Sequence, residues 1–501
     1  MAKHGLLLIK SITHKRENAM TSQNDNSVMN SITATLESQR QQSINGGAVS
    51  AEVRIDRLQR AIDLVFDNRD AIVASLSQDF GQRSTHQSLM SDIYATIECL
   101  KHSKKHVKKW MKAEKRKAPF PMNLMGAKAR VEYQPKGVVG IIGTWNFPIN
   151  TVFSPLAGVL AAGNRAMIKC SEVTPHTGAL LETLVAKYFK NDELAAFNGG
   201  PDIGASFSAL PFDHIIFTGA TSIARHILRA AADNLTPVTL ELGGKSPVIV
   251  SRSYPLQESV ERIFGGKILN AGQVCLSPDY AFVPEEQLND FITATNTYFS
   301  DIFPNLLKNP DFTSVINARH QQRLISYIED AKQKGGDVRE INPAKEDFSN
   351  QEGTHKIPPT LIINPSDDML VMQEELFGPV ICIKTYKQVD ECIDYINARP
   401  RPLALYYFGK DNTEQRHVLD HTTSGAVTIN DVIFHVSCED LPFGGIGPSG
   451  MGNYHGHDGF KTFSHAKAVY KQSNINFQKL GGMIPPYGEK ADKTLKAMIR
   501  K

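Results

Sequence analysis

The sequence lacks the features by which several classes of protein are first recognised. None of its six cysteines stands in a CxxC pair, and no window approaches the roughly 18 to 20 uninterrupted apolar residues of a membrane span. The scattered cysteines argue against both a zinc site and a disulfide framework. We therefore expect no metal, no membrane span and a reducing compartment, with the cytoplasm as the simplest location.

The chain also has no large excess of charge of either sign. Its 55 Lys and Arg side chains are nearly balanced by 52 Asp and Glu side chains, which leaves a formal net charge of +3. So small an excess gives no general attraction to polyanions, and we do not expect nucleic acid as a partner. With 501 residues, 41% of them hydrophobic, the chain is long enough for two or three domains.

A regular alternation of strand and helix patterns occupies the first half of the chain. It predicts a parallel sheet covered by helices on both faces, in which ligands bind at the carboxyl ends of the strands. Asn146, Lys169, Gly219 and Glu241 fall at these ends. The predicted strands are 138–142, 166–169, 195–198, 214–218 and 237–241.

The remaining segments follow a second alternation, which runs from Ser246 to about Thr428 and predicts a second α/β domain. Residues 1–45 are rich in Ser, Asn, Gln and Thr and have weak periodicity, so they predict a mobile extension. Near the end of the chain come a Gly-rich segment from Pro442 to Gly452, a strand predicted at Phe460–Phe463, and a loose tail.

One cysteine is presented on a predicted turn between a helix and a strand, in the segment Asn270-Ala271-Gly272-Gln273-Val274-Cys275. The Gly-Gln pair predicts an exposed turn, which can direct its backbone N–H at an oxyanion on the atom that the sulfur attacks. The thiolate is the reactive form, and neighbours would have to stabilise it. A small buried hydrophobic residue is the alternative interpretation of Cys275.

Two polar side chains can assist catalysis by such a cysteine. Glu241 ends an apolar strand and precedes two glycines, so we expect it to project into a cleft, where partial desolvation makes a carboxylate a general base. A salt bridge at a domain boundary is the alternative. Asn146 can donate its side-chain amide to a developing oxyanion. A loop asparagine that bonds to its own backbone is the alternative there.

Two other strand ends offer groups suited to a nucleotide. Lys169 and Glu172 follow one strand and can bracket a ribose, or form a surface ion pair. The segment Phe217-Thr218-Gly219-Ala220-Thr221 ends another strand and opens a helix, which can seat a pyrophosphate on helix N–H groups. It does not carry the GxGxxG pattern, so it is not sufficient by itself to identify a dinucleotide site.

Seven separated segments resemble, in chain order, the motifs of the aldehyde dehydrogenase superfamily, and the resemblance covers about residues 50–475. Pro278-Asp279-Tyr280 and Ser449–Gly456 are similar to its class 3 branch, which accepts NAD or NADP and includes fatty, aromatic and coniferyl aldehyde dehydrogenases. Ala220 and Ala224 stand where the family often has Ser and Gly. The seven segments are Gly143–Pro148, Lys169–Glu172, Phe217–Gly219, Glu241–Lys245, Gly272–Cys275, Glu374–Pro379 and Pro442–Gly445.

The resemblance implies a division of the chain into domains. Residues 46–240 would form a Rossmann-like cofactor domain, and residues 241–430 a second α/β catalytic domain. A small β oligomerisation arm, which usually makes dimers in the family, would combine residues 115–135 with a strand in the return segment 431–475. Residues 476–501 would be a tail.

The resemblance also implies a role for each candidate residue. Cys275 would attack the aldehyde carbon, the Asn146 amide and the Cys275 N–H would hold the oxyanion, and Glu241 would deprotonate the water that hydrolyses the thioester. No metal is needed. The cofactor would be held by Trp145 in the cleft, Lys169 and Glu172 at the adenosine ribose, Thr218 and Gly219 at the pyrophosphate, Glu375 at the nicotinamide ribose and Phe377 near the ring.

These roles predict NAD(P)-dependent oxidation of an apolar aldehyde to the free carboxylic acid, with coniferyl and other aromatic aldehydes as candidate substrates. Glu241 argues against transfer of the acyl group to coenzyme A, because branches that do so typically lack this base. Glu172 would repel a 2′-phosphate and so favours NAD, with NADP as the alternative. A non-catalytic structural or binding member of the fold and a cofactor-free cysteine hydrolase are the rival hypotheses.

Overall fold

The computed structural model describes residues 26–499, and its alternation of helices and strands confirms the predicted α/β class. The helices are α1 (26–45), α2 (Ala51–Asp67), α3 (Arg69–Asp79), α4 (Thr85–Ser88), α5 (Ala95–Trp110), α6 (Asn150–Ala162), α7 (Pro175–Tyr188), α8 (Pro201–Ser208), α9 (Thr221–Ala232), α10 (Leu256–Ile268), α11 (Leu288–Ile302), α12 (Ala318–Gln333), α13 (Leu370–Gln373), α14 (Val389–Asn397), α15 (Asn412–His421), α16 (Gly456–Thr462), α17 (Phe477–Leu480) and α18 (Glu489–Met498). A π-helical turn, Leu89–Tyr94, joins α4 to α5.

The strands follow the same alternation. They are β1 (Glu114–Arg116), β2 (Lys128–Pro135), β3 (Val138–Ile142), β4 (Arg165–Lys169), β5 (Leu194–Phe197), β6 (His214–Thr218), β7 (Val238–Glu241), β8 (Ser246–Val250), β9 (Pro278–Pro284), β10 (Asp337–Glu340), β11 (Thr360–Ile363), β12 (Val380–Tyr386), β13 (Ala404–Phe408), β14 (Ala426–Ile429), β15 (Gly450–Met451) and β16 (Ser464–Lys471).

The first sheet has six strands in the order β5-β4-β3-β6-β7-β15. Strands β3 to β7 are parallel, and β15 is antiparallel to β7. Every residue of β3 is buried, as expected for a central parallel strand covered on both faces. The carboxyl ends of β3, β4, β6 and β7 therefore bring the Asn146 loop, Lys169, Thr218 and Glu241 to one edge of the sheet.

The second sheet has seven strands in the order β10-β11-β12-β9-β8-β13-β14, all parallel except β10. Cys275 and Glu375 come just before β9 and β12, which are neighbouring strands. The two side chains therefore lie at the amino ends of their strands, whereas the first sheet contributes residues from its carboxyl ends. The two sheets face the candidate site with opposite edges.

A third, antiparallel sheet is formed by β1, β2 and β16. Eight residue pairs join β2 to β16, from Ser464–Pro135 to Lys471–Lys128. The prediction of a strand at Phe460–Phe463 is wrong, because Phe460 lies in α16 and the strand begins at Ser464. Phe460 and Phe463 are both fully buried, so their apolar character reflects helix packing in the core.

The prediction of a mobile extension over residues 1–45 is wrong for residues 26–45, which form α1; residues 1–25 lie outside the described range. Ile32 and Leu36, one helical turn apart, are buried in the core below the first sheet. The buried amide of Gln39 donates hydrogen bonds to the carbonyl oxygens of Ala166 (3.1 Å) and Asn191 (2.8 Å). A few well-placed contacts therefore order a segment whose composition is mostly polar.

The last part of the chain also contains more structure than the sequence predicts. The predicted loose tail contains α17 and α18, and Ala491 of α18 is buried.

Within the part of the chain that the structure describes, no helix combines the length and apolar character needed to cross a bilayer.

Candidate active site

A single large cavity of about 1370 Å³ brings most of the candidate residues together. The edges of both sheets line it, so it lies where the carboxyl ends of the first sheet meet the amino ends of the second. The sequence-predicted residues that line it are Trp145, Asn146, Thr218, Gly219, Glu241, Cys275, Glu375 and Phe377. Lys169 and Glu172 do not line this cavity; they follow β4, the neighbour of β3 in the same sheet.

The turn before Cys275 has a left-handed backbone and is buried. Asn270, Ala271 and Gly272 have φ angles of 51°, 54° and 73°. A Cβ on Gly272 would lie 2.2 Å from the carbonyl oxygen of Gly378, so only glycine allows this approach to the loop that carries Glu375. The prediction of an exposed turn is wrong, since all four residues from Asn270 to Gln273 are buried.

Gln273 explains why a polar residue is buried next to the cysteine. Its side-chain amide donates to the carbonyl oxygens of Asn270 (2.9 Å) and Ser314 (3.0 Å), and its side-chain oxygen accepts from the N–H of Ile316 (2.9 Å). These bonds satisfy the buried amide and hold the turn against the segment before α12. The turn that carries Cys275 is therefore tied to the segment before α12.

Cys275 itself is half-buried and lines the cavity. Burial raises the pKa of its thiol well above the usual range, and the carboxyl groups of Glu241 and Glu375 add to the increase. The backbone N–H groups of Cys275 and Leu276 act in the opposite direction. The thiol is therefore protonated at neutral pH in this state, and its activation requires loss of the proton to a base.

Asn146 is buried beside the turn, and its side-chain amide donates to the carbonyl oxygen of Gln273 at 3.0 Å. In return, the Asn270 amide donates to the carbonyl oxygen of Asn146 at 3.1 Å. The alternative of an asparagine bonded to its own loop is not what the structure shows, because its partner lies 127 residues away. These bonds bring the Asn146 amide next to the turn before Cys275, a position from which an amide can donate to an oxyanion on an atom that the sulfur attacks.

Two residues that the sequence did not single out hold the Asn146 loop in place. A carboxylate oxygen of Asp92 accepts from the backbone N–H groups of Ile149 (3.1 Å) and Asn150 (3.2 Å) at the start of α6. The other oxygen pairs with Arg83 at 2.7 Å, and both side chains are fully buried. Arg83 also lies over the ring of Phe147, 5.2 Å from its centroid. No local pattern in the sequence links these distant residues.

Glu241 ends β7 and is buried, with both carboxylate oxygens free of hydrogen-bond partners among residues 26–499. Burial alone raises the pKa of Glu241 well above its usual value. The predicted alternative, a domain-boundary salt bridge, is therefore not formed by the described residues. A carboxyl group in this state has a high proton affinity and is available to a cavity water or ligand.

The Gly-rich segment near the end of the chain supports the strand that carries Glu241. Gly450 in β15 pairs with Glu241 in β7, and its φ of 157° is accessible to few residues other than glycine. A Cβ on Gly450 would lie 2.6 Å from the carbonyl oxygen of Leu240. Residues 445–450 have GxGxxG spacing, but they precede an edge strand rather than open a helix, so this motif is structural here.

Glu375 is positioned by the segment that follows Glu241. Burial raises its pKa to about 7, while the Gly244 N–H acts in the opposite direction. A Cβ on Gly243 would lie 2.3 Å from a carboxylate oxygen of Glu375. The Lys245 ammonium pairs with Asp279 and donates to the carbonyl oxygens of Val371 (2.8 Å) and Glu374 (2.9 Å). The conspicuous Gly243-Gly244-Lys245 run therefore makes room for the Glu375 loop and anchors it.

Three aromatic rings line the cavity beside Glu375. Trp145 contacts Phe377 edge-to-face, with 5.3 Å between ring centroids, and contacts His320 at 4.9 Å. Burial, together with the positive charges of Arg323 and Arg319, lowers the pKa of His320 to about 4, so the imidazole is neutral at pH 7. Sequence reasoning did not identify His320, which has no motif around it on α12.

The residues proposed for the nucleotide have unused hydrogen-bonding capacity that fits such a ligand. Lys169 is buried, donates to the carbonyl oxygen of Cys170 at 2.6 Å, and lies 3.9 Å from the half-exposed Glu172. A lysine ammonium has three donors, so hydroxyl groups of a ribose can accept from those that remain. The hydroxyl of Thr218 is buried without a partner in the described part of the chain. The residue set therefore fits a dinucleotide.

Comparison with known proteins decides the family. The model of the aldehyde dehydrogenase family matches residues 9–469. The chain belongs to the aldehyde dehydrogenase family. As a member, it is an oxidoreductase that oxidises aldehydes with NAD(P), which confirms the activity and cofactor predicted from the motifs and does not favour the non-catalytic and hydrolase alternatives.

Individual members show how similar this aldehyde dehydrogenase is to its relatives. A coniferyl aldehyde dehydrogenase of Pseudomonas sp. strain HR199 is 54% identical over 91% of this chain and 94% of its own length. A dimeric, NADP-preferring aldehyde dehydrogenase of Rattus norvegicus is 34% identical over 91% and 98%. The structure of a substrate-bound Staphylococcus aureus AldH superposes with a TM-score of 0.86, at 33% identity and coverage of 94% and 99%. That of S. aureus betaine aldehyde dehydrogenase with NAD+ has a TM-score of 0.79, at 26% identity and coverage of 89% and 88%.

Proposed function

We propose that this aldehyde dehydrogenase oxidises aromatic aldehydes of the coniferyl type to the carboxylic acids. The observation that carries the proposal is the convergence of Cys275, Glu241 and Asn146 on one cavity of about 1370 Å³. Support for the substrate comes from apolar side chains in the same cavity, among them Val432, Ile433 and Phe443, and from the 54% identical coniferyl aldehyde dehydrogenase.

In the first half of the reaction, Cys275 loses its proton to solvent in the cavity, and its sulfur adds to the carbonyl carbon of the aldehyde. The oxygen becomes an oxyanion, which accepts hydrogen bonds from the Asn146 amide and the Cys275 N–H. Because the thiol pKa is raised by burial and by two carboxyl groups, the oxyanion donors must contribute much of the driving force for addition. A bound nicotinamide would supply the acceptor for the hydride of the substrate carbon.

In the second half, Glu241 releases the product from the sulfur. The acyl group is held on Cys275 as a thioester, and the Glu241 carboxylate removes a proton from the water that attacks it. The raised pKa of Glu241 makes it a stronger base once ionised. The proton and the carboxylic acid then leave through the cavity.

We propose that the cofactor is bound by the residues that the sequence motifs indicate. Lys169 and Glu172 hold the adenosine ribose, Thr218 and Gly219 the pyrophosphate, and Glu375 the nicotinamide ribose, while Trp145 and Phe377 contact the nicotinamide side. Glu172 favours NAD over NADP, because a carboxylate next to the ribose repels a 2′-phosphate. Residues 46–240 then form the cofactor domain and residues 241–430 the catalytic domain.

We further propose a cytoplasmic homodimer. Six cysteines are free in the structure, which suits a reducing compartment. The third sheet ends at β16, whose outer edge pairs with no strand among the described residues. An open strand edge is suited to a second copy of the chain, so we place the dimer contact at the arm formed by residues 115–135 and β16.

The proposal is tested by adding coniferyl aldehyde and either NAD+ or NADP+ to the purified protein and following formation of NADH or NADPH together with the acid product. Stoichiometric formation of reduced cofactor and acid supports it. Ester hydrolysis without cofactor would indicate a hydrolase instead, and cofactor binding with no turnover of any aldehyde would indicate a non-catalytic member. A panel of aliphatic and aromatic aldehydes ranks the substrate classes by kcat/KM.

A further inference from the structure

One carboxylate in the cavity has an unused oxygen and plays no part in the proposed catalytic steps. Glu439 lies between β14 and β15 and lines the cavity. Its Oε2 atom is buried and has no hydrogen-bond partner among the described residues. Leaving a buried carboxylate oxygen unpaired is costly, so this atom is suited to a donor that arrives with a ligand.

Glu439 is held in place by its neighbours. Its carboxylate lies against the thiol of Cys99 on α5, and that thiol is 3.6 Å from the carbonyl oxygen of Ser154 on α6. A Cβ on Gly456 would lie 2.2 Å from the Glu439 carbonyl oxygen, and Gly456 has a φ of +46°. The backbone of Glu439 therefore packs tightly against the start of α16, while the carboxylate is held by its contact with the Cys99 thiol.

His102 adds a second unpaired polar atom at the same place. The same hypothetical Cβ on Gly456 would lie 3.4 Å from Nε2 of His102, so this imidazole adjoins the backbone of Glu439, and both residues line the cavity. Nε2 is buried without a hydrogen-bond partner in the part of the chain described here and lies 3.4 Å from a carboxylate oxygen of Asp440. An imidazole nitrogen can donate or accept, which complements the acceptor-only carboxylate.

Tyr454 connects this pair to the candidate catalytic groups. It is buried and lines the cavity. Burial raises its pKa well above the usual value, and Glu241, Cys275, Cys99 and Glu439 all add to the increase. Tyr454 therefore lies in the lining of the same cavity as Cys275, Glu241 and Glu439. Because one cavity is lined by both Cys275 and Glu439, a ligand whose carbonyl reaches Cys275 can extend within it towards Glu439.

We propose that Glu439 and His102 form a subsite for a hydroxyl group at the end of the substrate remote from its aldehyde. The subsite rests on the proposed function and makes its substrate class more specific. Coniferyl aldehyde has such a group, because its ring carries a phenolic hydroxyl opposite the chain that ends in the aldehyde. The hydroxyl donates to Glu439, and His102 provides a second polar contact. An aldehyde that lacks the hydroxyl leaves the Glu439 oxygen unpaired and is discriminated against.

The test compares two aldehydes that differ only in this hydroxyl, 4-hydroxycinnamaldehyde and cinnamaldehyde. Burial raises the pKa of Glu439 to about 7, so the comparison is made above that pH, where the group is charged. There we expect the wild-type kcat/KM to favour the hydroxylated aldehyde by roughly tenfold or more, as for a hydrogen bond to a charged group. Glu439→Leu should bring this ratio close to one, and Glu439→Gln should lower it partly. An unchanged ratio in Glu439→Leu would overturn the subsite; if that variant does not fold, an unchanged ratio in Glu439→Gln does so.

The matched control is Glu98→Gln, which removes a carboxylate on α5 that is half-exposed and already paired with Lys101 at 2.9 Å. This variant should keep the wild-type ratio of kcat/KM for the two aldehydes. A decrease in the ratio equal to that of Glu439→Gln would mean that negative charge in general, rather than Glu439, sets the preference, and would reject the subsite.

A binding measurement separates failure of the subsite from failure of the proposed function. Calorimetry on Cys275→Ala, which cannot turn over, compares 4-hydroxycinnamate with cinnamate, with and without Glu439→Leu. If neither aldehyde is oxidised by the wild type but the binding preference exists and requires Glu439, the proposed function fails and the subsite stands. If both aldehydes are oxidised and neither preference depends on Glu439, only the subsite fails.

Discussion

The hydroxyl of Tyr406 donates a hydrogen bond to the carbonyl oxygen of Leu276, the residue after Cys275. Tyr406 is fully buried on β13 of the second sheet. The bond ties the far side of the nucleophile turn to the sheet, while Gln273 ties the near side to the segment before α12. The position of the sulfur therefore depends on contacts with two separate segments, β13 and the segment before α12.

Tyr406→Phe should remove this bond without changing the shape of the side chain. We expect a loss of about 1–3 kcal/mol in the free energy of unfolding, because the Leu276 carbonyl is left unpaired, together with a fall in kcat that exceeds any change in KM. Denaturant unfolding and pre-steady-state NADH formation measure the two effects. A fall in stability with unchanged acylation would show that Tyr406 has a purely structural role.

Cys275→Ala should abolish aldehyde oxidation, lowering kcat/KM by about 10⁴-fold or more, because no other group takes the place of the nucleophile. Binding of NAD+ should stay close to that of the wild type, as measured by fluorescence titration. The control is Cys392→Ala, which changes a buried cysteine on α14. Residual turnover of Cys275→Ala near the wild-type rate would reject the nucleophile assignment.

Glu241→Gln should slow thioester hydrolysis by roughly 10²–10⁴-fold, since the amide cannot accept the proton of the attacking water. The first turnover should persist, so rapid mixing should show a burst of about one NADH per active site followed by a slow steady state. Mass spectrometry of the quenched enzyme should detect the acyl group on Cys275. An undiminished steady-state rate would show that another group acts as the base.

Glu241 should also make stability depend on pH in a direction opposite to that of a typical carboxylate. Its folded pKa lies well above the unfolded value of about 4.3. Its stabilising contribution is therefore fully present below the unfolded pKa and is lost as pH rises through the folded pKa. Glu241→Gln should unfold at a higher temperature than the wild type at pH 9 and at the same temperature near pH 4. If the variant and the wild type unfold at equal temperatures at both pH values, ionisation of Glu241 does not destabilise the folded state.

Glu172→Gln should improve the use of NADP+ relative to NAD+ by roughly tenfold, because it removes a carboxylate that repels the 2′-phosphate. The ratio of kcat/KM for the two cofactors measures the effect. Glu182→Gln is the control: it removes an exposed carboxylate on α7 that accepts from Asn198 instead. If this ratio is the same in both variants, Glu172 does not determine the choice between NAD+ and NADP+.

Much of the fold can be predicted from the sequence because the patterns that specify it are local. Strands β3 and β6 have the predicted bounds, since each is an apolar run closed by a turn or a helix start. The catalytic candidates were found by the same means, because Glu241 ends one such strand and Asn146 follows another. Cys275 was found from a Gly-Gln turn, although the turn proved to be buried.

The supporting contacts could not be predicted because their partners are distant in the chain. Asp92 accepts a hydrogen bond from the backbone N–H of Ile149, at the start of α6, although the two residues are 57 positions apart. Gln39 donates to the carbonyl oxygen of Ala166 in β4, 127 positions away. The composition of residues 26–45 predicts mobility, and only two buried apolar side chains and one buried amide, seen in the folded chain, reverse that conclusion.

The sequence by itself determined most of the order of strands and helices, the family and the candidate reacting groups, because alternation of side chains and short motifs are properties of neighbouring residues. Only the tertiary structure decided that the carboxyl edge of one sheet faces the amino edge of the other. That arrangement places Glu241, Glu375 and Glu439 in one low-dielectric cavity with Cys275. Their raised proton affinities follow from burial, which no linear pattern specifies.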